Sequence, residues 1–484
     1  MATVQREKMS SVDTAWLRMD RPSNLMMICG VMLFDERVSF ERLKAVVRDR
    51  WLTFRRFRQR PVDIPGMPCW ETDRHFDIDQ HVAHVALPGK GGKRELQVLV
   101  SRLAATPLNP ARPLWQYHLV DNYKGGSALV ARIHHCYADG IALMQVILSM
   151  TDAARDGPPA MPLPPQRKPR TRADDPLAQL VEPITDAMNV ALKVGSTLVE
   201  KGIEIWTDPT KAVGWAEQGG ALAVEASRLA LMGRDSTTRF KGTPAITKRV
   251  AWAEPISLDE VKAVGKALRA SVNDVLLSCV AGALRAYLVD KGDRTEGVTI
   301  RALVPVNLRP LEKAYQLGNR FGVVFLELPI GIENPIERLY AVRTYMQAVK
   351  GSYQPVLTLG LLGAAGMGPK LLEDHLIGVL SRNATAVMTN VPGPRQALYL
   401  AGAKIDNLMF WVPQSGDIGM GVSILSYNGQ VQFGLITDRG LCPDPERVIA
   451  RFAPEFEKLV LTTVMAPWPW EGDLDPAVAT AVAG

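Results

Sequence analysis

The stretch Leu129-Val130-Ala131-Arg132-Ile133-His134-His135-Cys136-Tyr137-Ala138-Asp139-Gly140 joins an apolar run to a doubled histidine, an aspartate and a glycine. Strand side chains alternate between two faces, so Leu129, Ala131, Ile133 and His135 share one face while Val130, Arg132 and His134 share the other. His135 is therefore expected to look into an apolar interior. An imidazole with an ordinary pKa near ~6.5 is mostly neutral at pH 7, can accept a proton from a hydroxyl, and can return it to a leaving group. The run thus points to group transfer onto an alcohol, with His135 as the candidate general base.

The neighbours of His135 carry plainer readings beside the catalytic one. His134, on the opposite face, reads chiefly as structural, although it stands with His135 and Asp139 in the candidate catalytic set. Asp139, beside its place in that set, reads as the N-cap of an apolar helix starting near Ile141. Gly140 serves as a turn residue or supports the motif. Cys136 follows His135 and so faces away from that base, which reads as a packed thiol rather than a nucleophile. Adjacent histidines on a strand do not chelate one ion, and no second His or Cys cluster stands near, so neither a metal nor a bound cofactor is expected.

At 484 residues the chain is long enough for two to four domains, and 47% hydrophobic with 22% charged residues reads as globular. A net charge of +6 is compatible with an anionic membrane surface or a phosphate-bearing cofactor. Dispersed lysines and arginines without a recognised motif argue against nucleic acid. Five cysteines with no C-x-x-C pair suggest a reducing compartment, and no secretory signal opens the sequence, so a cytoplasmic location is expected. The uncharged stretch Gly351 to Pro369 is too rich in glycine and polar residues for a spanning helix, and reads as an apolar helix or loop that is buried or touches lipid.

The pattern alternates helices and strands, which predicts an α/β fold with mixed sheets. Leu43, Val46, Val47 and Trp51 mark one amphipathic helix, and Leu96, Leu99, Val100 and Leu103 another. Gln116 to Asp121 and Ser127 to His135 flank the turn Asn122 to Gly126 and predict a hairpin that feeds the histidines. Residues 1–154 form the first half. A Pro-rich linker with bridging helices occupies 155–245, the helices over about 184–239. A second half covers 246–484, with strands near 246–253, 298–306, 321–329 and 384–391, and a hairpin, 419–427 and 431–437, joined at Asn428-Gly429. Ser257 and Glu260 form a capping box, and a further helix follows Asn273-Asp274.

These residues, taken in order, resemble the bacterial wax ester synthase/diacylglycerol acyltransferase family, within the chloramphenicol acetyltransferase-like superfamily. The likeness rests on Val12 to Leu17, Phe76 to Asp79, His84 to Pro88, Arg112-Pro113-Leu114-Trp115 and the H-H-x-x-x-D-G run. It continues through Val272 to Leu277, Pro305 to Arg309 and Thr389 to Pro394. The resemblance implies two chloramphenicol acetyltransferase-like domains with a tunnel at their interface, entered by acyl-CoA from one mouth and by an alcohol from the other. It implies an O-acyltransferase acting on a fatty alcohol or diacylglycerol, with His135 as general base, Asp139 as organiser, and possible peripheral contact with the inner membrane or lipid droplets. Asn273 and Asp274 match the family's N-D motif, thought to support the site, and equally read as a helix N-cap. Asn273 or a backbone N–H is a candidate oxyanion donor. Arg309 is a candidate partner of Asp139, or a surface arginine. The sequence departs from the family's Met-His-Val-Gly at Met26-Met27-Ile28-Cys29, and from an expected Asn at Thr385. Two rival readings are a condensation-type acyltransferase using a carrier-bound thioester and a non-catalytic lipid-binding or lipid-body protein.

Overall fold

The structure, a computed structural model, describes residues 6–64, 68–160, 228–229, 231–309, 317–350 and 352–465. Most of the expected Pro-rich linker and bridging helices lie outside the described residues. The main elements of the first half are α1 (Ser11–Arg18), β1 (Met27–Phe34), α2 (Phe40–Asp49), β2 (Val82–Ala86), α3 (Lys93–Ala104), β3 (Trp115–Tyr123), β4 (Gly126–His134) and α4 (Gly140–Met150). The second half opens with β5 (Lys248–Trp252), α5 (Leu258–Ala267), α6 (Val272–Asp290), β6 (Ile300–Asn307) and β7 (Phe321–Leu328). There follow α7 (Pro335–Val349), α8 (Gln354–Met367), α9 (Lys370–Arg382) and β8 (Ala386–Pro392). The last elements are β9 (Asn407–Trp411), β10 (Met420–Tyr427), β11 (Gln430–Asp438) and α10 (Pro445–Met465).

Two mixed sheets carry the molecule. The first has the order β9-β1-β4-β3-β2, antiparallel except for the parallel pair β2/β3. The second has the order β7-β6-β8-β10-β11-β5, with parallel pairs at β6/β8 and β8/β10, and the short strand Ile256–Ser257 added against β11. The strands expected in the second half are all present within a residue or two. Strand β9 was not anticipated: although it lies far along the chain, it pairs with β1 from Asn407↔Leu33 to Trp411↔Cys29 and so completes the first sheet.

The two hairpins show how local chemistry fixes register. Asn428 (φ 48°) and Gly429 (φ 76°) form the two-residue turn between β10 and β11, in the left-handed conformation that Asn and Gly tolerate best. The hairpin before the histidines is tighter than the expected five-residue turn. Tyr123 pairs with Gly126, only Lys124 and Gly125 lie between, and Asn122 is bulged out at φ 64°.

Alternation along β4 behaves as expected, with one addition. Leu129, Ala131 and Ile133 enter the core that spans both halves, together with Leu303, Phe321 and Val387. The other face is also buried: Ala128 and Val130 pack with Leu96 and Val100 of α3 and with Val250 and Trp252 of β5. Helix α8, within the Gly351–Pro369 stretch, is buried along one side, while Met367 at its end is exposed. Gly360, Gly363 and Gly366 are buried and α8 packs against α1. A Cβ on Gly366 would sit 1.7 Å from the carbonyl oxygen of Ser11, so only glycine permits the approach. This contact sets α1, and with it Trp16, over the histidine motif.

Candidate active site

Beyond β4 the chain turns sharply, and its hydrogen bonds hold His135 in place. Its backbone N–H donates to the Met26 carbonyl at 2.7 Å, and its own carbonyl accepts from Asn319 Nδ2 at 2.9 Å. The ring stacks on Trp16, with centroids 4.1 Å apart and planes at 21°, and tilts against Phe321 at 5.5 Å. Only 3% of His135 is exposed. Burial first, and the charge of neighbouring His134 second, push its pKa down to about 3. Burial disfavours the imidazolium because the cation loses its hydration. His135 is consequently neutral throughout the physiological range.

The histidine meets a cavity of about 250 Å³ between the two halves. Strands β6, β7 and β8 supply Leu303, Phe321, Val387 and Val391 to its wall, and β9 supplies Phe410. Besides His135, its polar lining residues are Asp139, Asn307, Thr389, Asn390 and Ser415. A second groove shares Gly140 and Phe410 with this cavity. It runs between β1, β4, α4 and β9, past Gly30, Met32, Ala131, Met144 and Leu408, and its lining contains no charged side chain.

Asp139 both caps a helix and forms an ion pair. Its Oδ1 accepts from the Ala142 N–H at 2.8 Å, capping α4, while Oδ2 accepts from Arg309 Nη2 at 2.8 Å and from the Arg320 N–H at 3.0 Å. The side chains of Arg309 and Asp139 are 1% and 3% exposed, so Arg309 is a buried partner rather than a surface arginine. Arg309 also donates to the Gly318 carbonyl, whose own N–H donates to the Tyr137 carbonyl. Together these bonds stitch the motif loop of the first half to the segment between β6 and β7 of the second.

The other candidates lie further out. His134 is buried but lines a different cavity, beside Asp20 and Leu114, and its Nδ1 accepts from the Cys136 N–H. Cys136 is fully buried, and loss of hydration raises its thiol pKa well above the usual range, which fits a packed thiol. Asp274 forms a capping box with Ser271 at the start of α6. Asn273 is exposed and does not line the cavity of His135; its Oδ1 accepts from Nδ2 of Asn390, which does. Thr385 donates to Asp235 and lies outside that cavity as well. Sequence reasoning did not single out Trp16, Asn319, Phe321 or Asn390 as site residues. Trp16 and Asn390 fall inside matched motifs, but nothing local shows that they converge on His135.

A neutral imidazole, backed by aromatic rings and opening on an apolar cavity between two mixed sheets, defines an acyltransferase-type site. Residues 9–276 match the family model described as wax ester synthase/diacylglycerol acyltransferase catalytic domain, and residues 317–460 match the WS/DGAT C-terminal domain. The chain belongs to the wax ester synthase/diacylglycerol acyltransferase family, and it is an enzyme that transfers an acyl group to an alcohol or a diacylglycerol. Among its relatives, a protein of Mycobacterium tuberculosis described as a probable diacylglycerol O-acyltransferase is 28% identical over 474 residues, 92% of this chain and 97% of that protein. A second from the same species, described in the same words, is 26% identical over 80% of each chain. The fold is shared with the wax ester synthase/diacylglycerol acyltransferase from Marinobacter aquaeolei, at TM-score 0.67 and 22% identity, covering 95% of this chain and 100% of that one. It is also shared with the starter condensation domain of rhizomide synthetase, at TM-score 0.55 and 14% identity over 96% of each.

Proposed function

We propose that the protein moves a long-chain acyl group directly from acyl-CoA to the hydroxyl of a fatty alcohol or diacylglycerol, with His135 as general base. The observation that carries this reading is the neutral His135 ring facing the apolar cavity. Its Nδ1 is sealed from solvent, which leaves Nε2 to meet substrate. The hydroxyl proton passes to Nε2 as the alcohol oxygen attacks the thioester carbonyl. The carbon–sulfur bond then breaks, and the imidazolium returns the proton to the CoA thiolate. Atoms balance without an acyl-enzyme or a cofactor. Developing negative charge on the carbonyl oxygen needs a donor, and the polar side chains on the cavity wall, Asn390 among them, are the candidates.

The apolar groove through Gly30 and Met144, about 30 Å³ in volume, continues from the cavity and suits the end of an alkyl chain, each buried methylene contributing roughly 0.8 kcal/mol. Peripheral contact with a cytoplasmic membrane face or lipid droplet is part of the proposal. It is supported by the exposed Met367 and Leu371, which flank Lys370 at the turn between α8 and α9. Among the described residues one helix, α6, is long and apolar enough to cross a membrane, and 72% of its apolar window is buried inside the protein.

The test is an acyl-transfer assay with palmitoyl-CoA against hexadecanol and diacylglycerol in parallel, with a palmitoyl-carrier protein as an alternative donor. Ester formation from the CoA donor with either alcohol is expected. Product from the carrier-bound donor alone, or from neither, overturns the proposal.

A further inference from the structure

The cavity of His135 holds few side chains able to donate a hydrogen bond to a substrate, and most of them are already committed. Asp139, paired with Arg309, only accepts, and its oxygens also hold the Arg320 N–H and the α4 cap. Asn307 is turned onto the backbone of Arg309 and bonds it with both ends of its amide, while Thr389 Oγ1 donates to the Val422 carbonyl. Asn390 keeps one N–H after giving the other to Asn273. Ser415 differs from all of these. It stands on the cavity wall, and among the described residues its hydroxyl bonds nothing.

The backbone that carries Ser415 is held from several sides. Asn24, 1% exposed and placed in the loop before β1, donates from Nδ2 to the carbonyls of Gly416 at 2.7 Å and Ile418 at 3.1 Å. Its Oδ1 accepts from Lys248 Nζ at 2.7 Å, and that ammonium also meets Asp438 at 3.4 Å, so β5 and the end of β11 brace the same loop. Gly416 takes the left-handed conformation at φ 56°, and a Cβ there would lie 2.5 Å from Ser381 Oγ, which brings the loop tight against α9. The Ser415 carbonyl accepts from the Ile418 N–H at 3.2 Å and closes the turn. Every one of these bonds fixes backbone, and the Ser415 hydroxyl is left to rotate toward whatever fills the cavity.

An uncommitted donor on a rigid wall is what a developing oxyanion requires, because it meets the new charge without reorganisation at the moment of reaction. We infer that Ser415 is a catalytic residue whose hydroxyl donates to the thioester carbonyl oxygen as the alcohol attacks, beside the remaining N–H of Asn390. The inference rests on the proposed acyl transfer in this cavity, since it names the group that meets the carbonyl oxygen while His135 meets the hydroxyl. Ser415 keeps its own proton throughout, and no acyl group is carried on it.

The test pairs kinetics with a measurement made without turnover. Because the hydroxyl bonds nothing in the fold, Ser415→Ala is expected to unfold at the wild-type temperature while kcat falls about 10²-fold and KM changes less than about threefold. Ser415→Thr, which keeps a hydroxyl, is expected to stay within about tenfold of wild type. Isotope-edited infrared spectra are then recorded for palmitoyl-CoA carrying carbon-13 at its carbonyl, bound to His135→Ala and to the double variant His135→Ala/Ser415→Ala. The carbonyl band is expected at lower wavenumber where Ser415 is present, as a hydrogen bond to the oxygen weakens the double bond. A folded Ser415→Ala enzyme with kcat within about threefold of wild type, a raised KM at unchanged kcat, or the same carbonyl band with and without Ser415 overturns the inference. The band is read in proteins that lack His135, so its result stands apart from any failure of the general-base reading.

Discussion

Replacing Arg309 by glutamine removes the guanidinium that meets Asp139 at 2.8 Å, in a pair whose side chains are 1% and 3% exposed. Breaking one side of a buried ion pair typically costs about 3–5 kcal/mol, because the remaining charge is left uncompensated. The cost here is asymmetric. Without Arg309 the carboxylate still holds the N–H groups of Ala142 and Arg320, so about 2–3 kcal/mol is expected, below that range. Without the charge of Asp139, as in Asp139→Asn, the guanidinium keeps the Gly318 carbonyl but loses its carboxylate, so the full ~3–5 kcal/mol is expected. The double variant should cost less than the sum of the two, with a coupling energy above about 1 kcal/mol. Since the pair joins the motif loop to the segment after β6, loosening it should also lower kcat/KM by about 10–10²-fold, as small displacements of a base do. Urea-unfolding midpoints and acyl-transfer rates for the three variants measure these quantities. An Arg309→Gln protein with unchanged midpoint and unchanged rate, or additive costs in the double variant, refutes the reasoning.

Two further outcomes are expected. In Gly30→Val a Cβ finds ordinary contact, 3.7 Å from the Met409 carbonyl oxygen, so the added methyl groups project into the groove. Losing room for about one methylene at about 0.8 kcal/mol should lower the preference for palmitoyl-CoA over octanoyl-CoA roughly fourfold, and an unchanged ratio would show that the alkyl chain lies elsewhere. Glu373 is fully buried with both carboxylate oxygens unbonded among the described residues, and burial raises its pKa from 4.5 to about 7. Folded protein therefore binds this proton more tightly than unfolded protein, so its stabilising effect is complete below pH 4.5 and is lost as pH rises through 7. Relative to Glu373→Gln, wild type should lose up to about 3 kcal/mol between pH 5 and pH 8, and thermal unfolding of the pair showing a difference independent of pH would contradict this.

Those parts of the fold that depend on neighbours in sequence were legible in it. Period-two alternation placed Leu129, Ala131 and Ile133 on the core face because strand geometry is local, whereas His135 stands in the turn beyond the strand; Asn428-Gly429 located its turn because few residues adopt that conformation. The Asn122 bulge escaped because a one-residue slip leaves no mark on composition. Strand β9 escaped because Asn-Leu-Met-Phe-Trp does not say which sheet it joins, and Phe410 on that strand closes the cavity over Gly140. Arg309 and Asp139 stand 170 residues apart, and Asn319 and His135 184 apart, so their meeting is a property of the folded chain. Asn273 shows the limit of motif reading: the matched residue holds Asn390, and Asn390 reaches the cavity.

His135→Ala should fold, with a circular dichroism spectrum like that of wild type, and should transfer palmitoyl groups from CoA to hexadecanol or diacylglycerol about 10²–10⁴-fold more slowly. A folded His135→Ala protein that turns over at the wild-type rate would contradict the account.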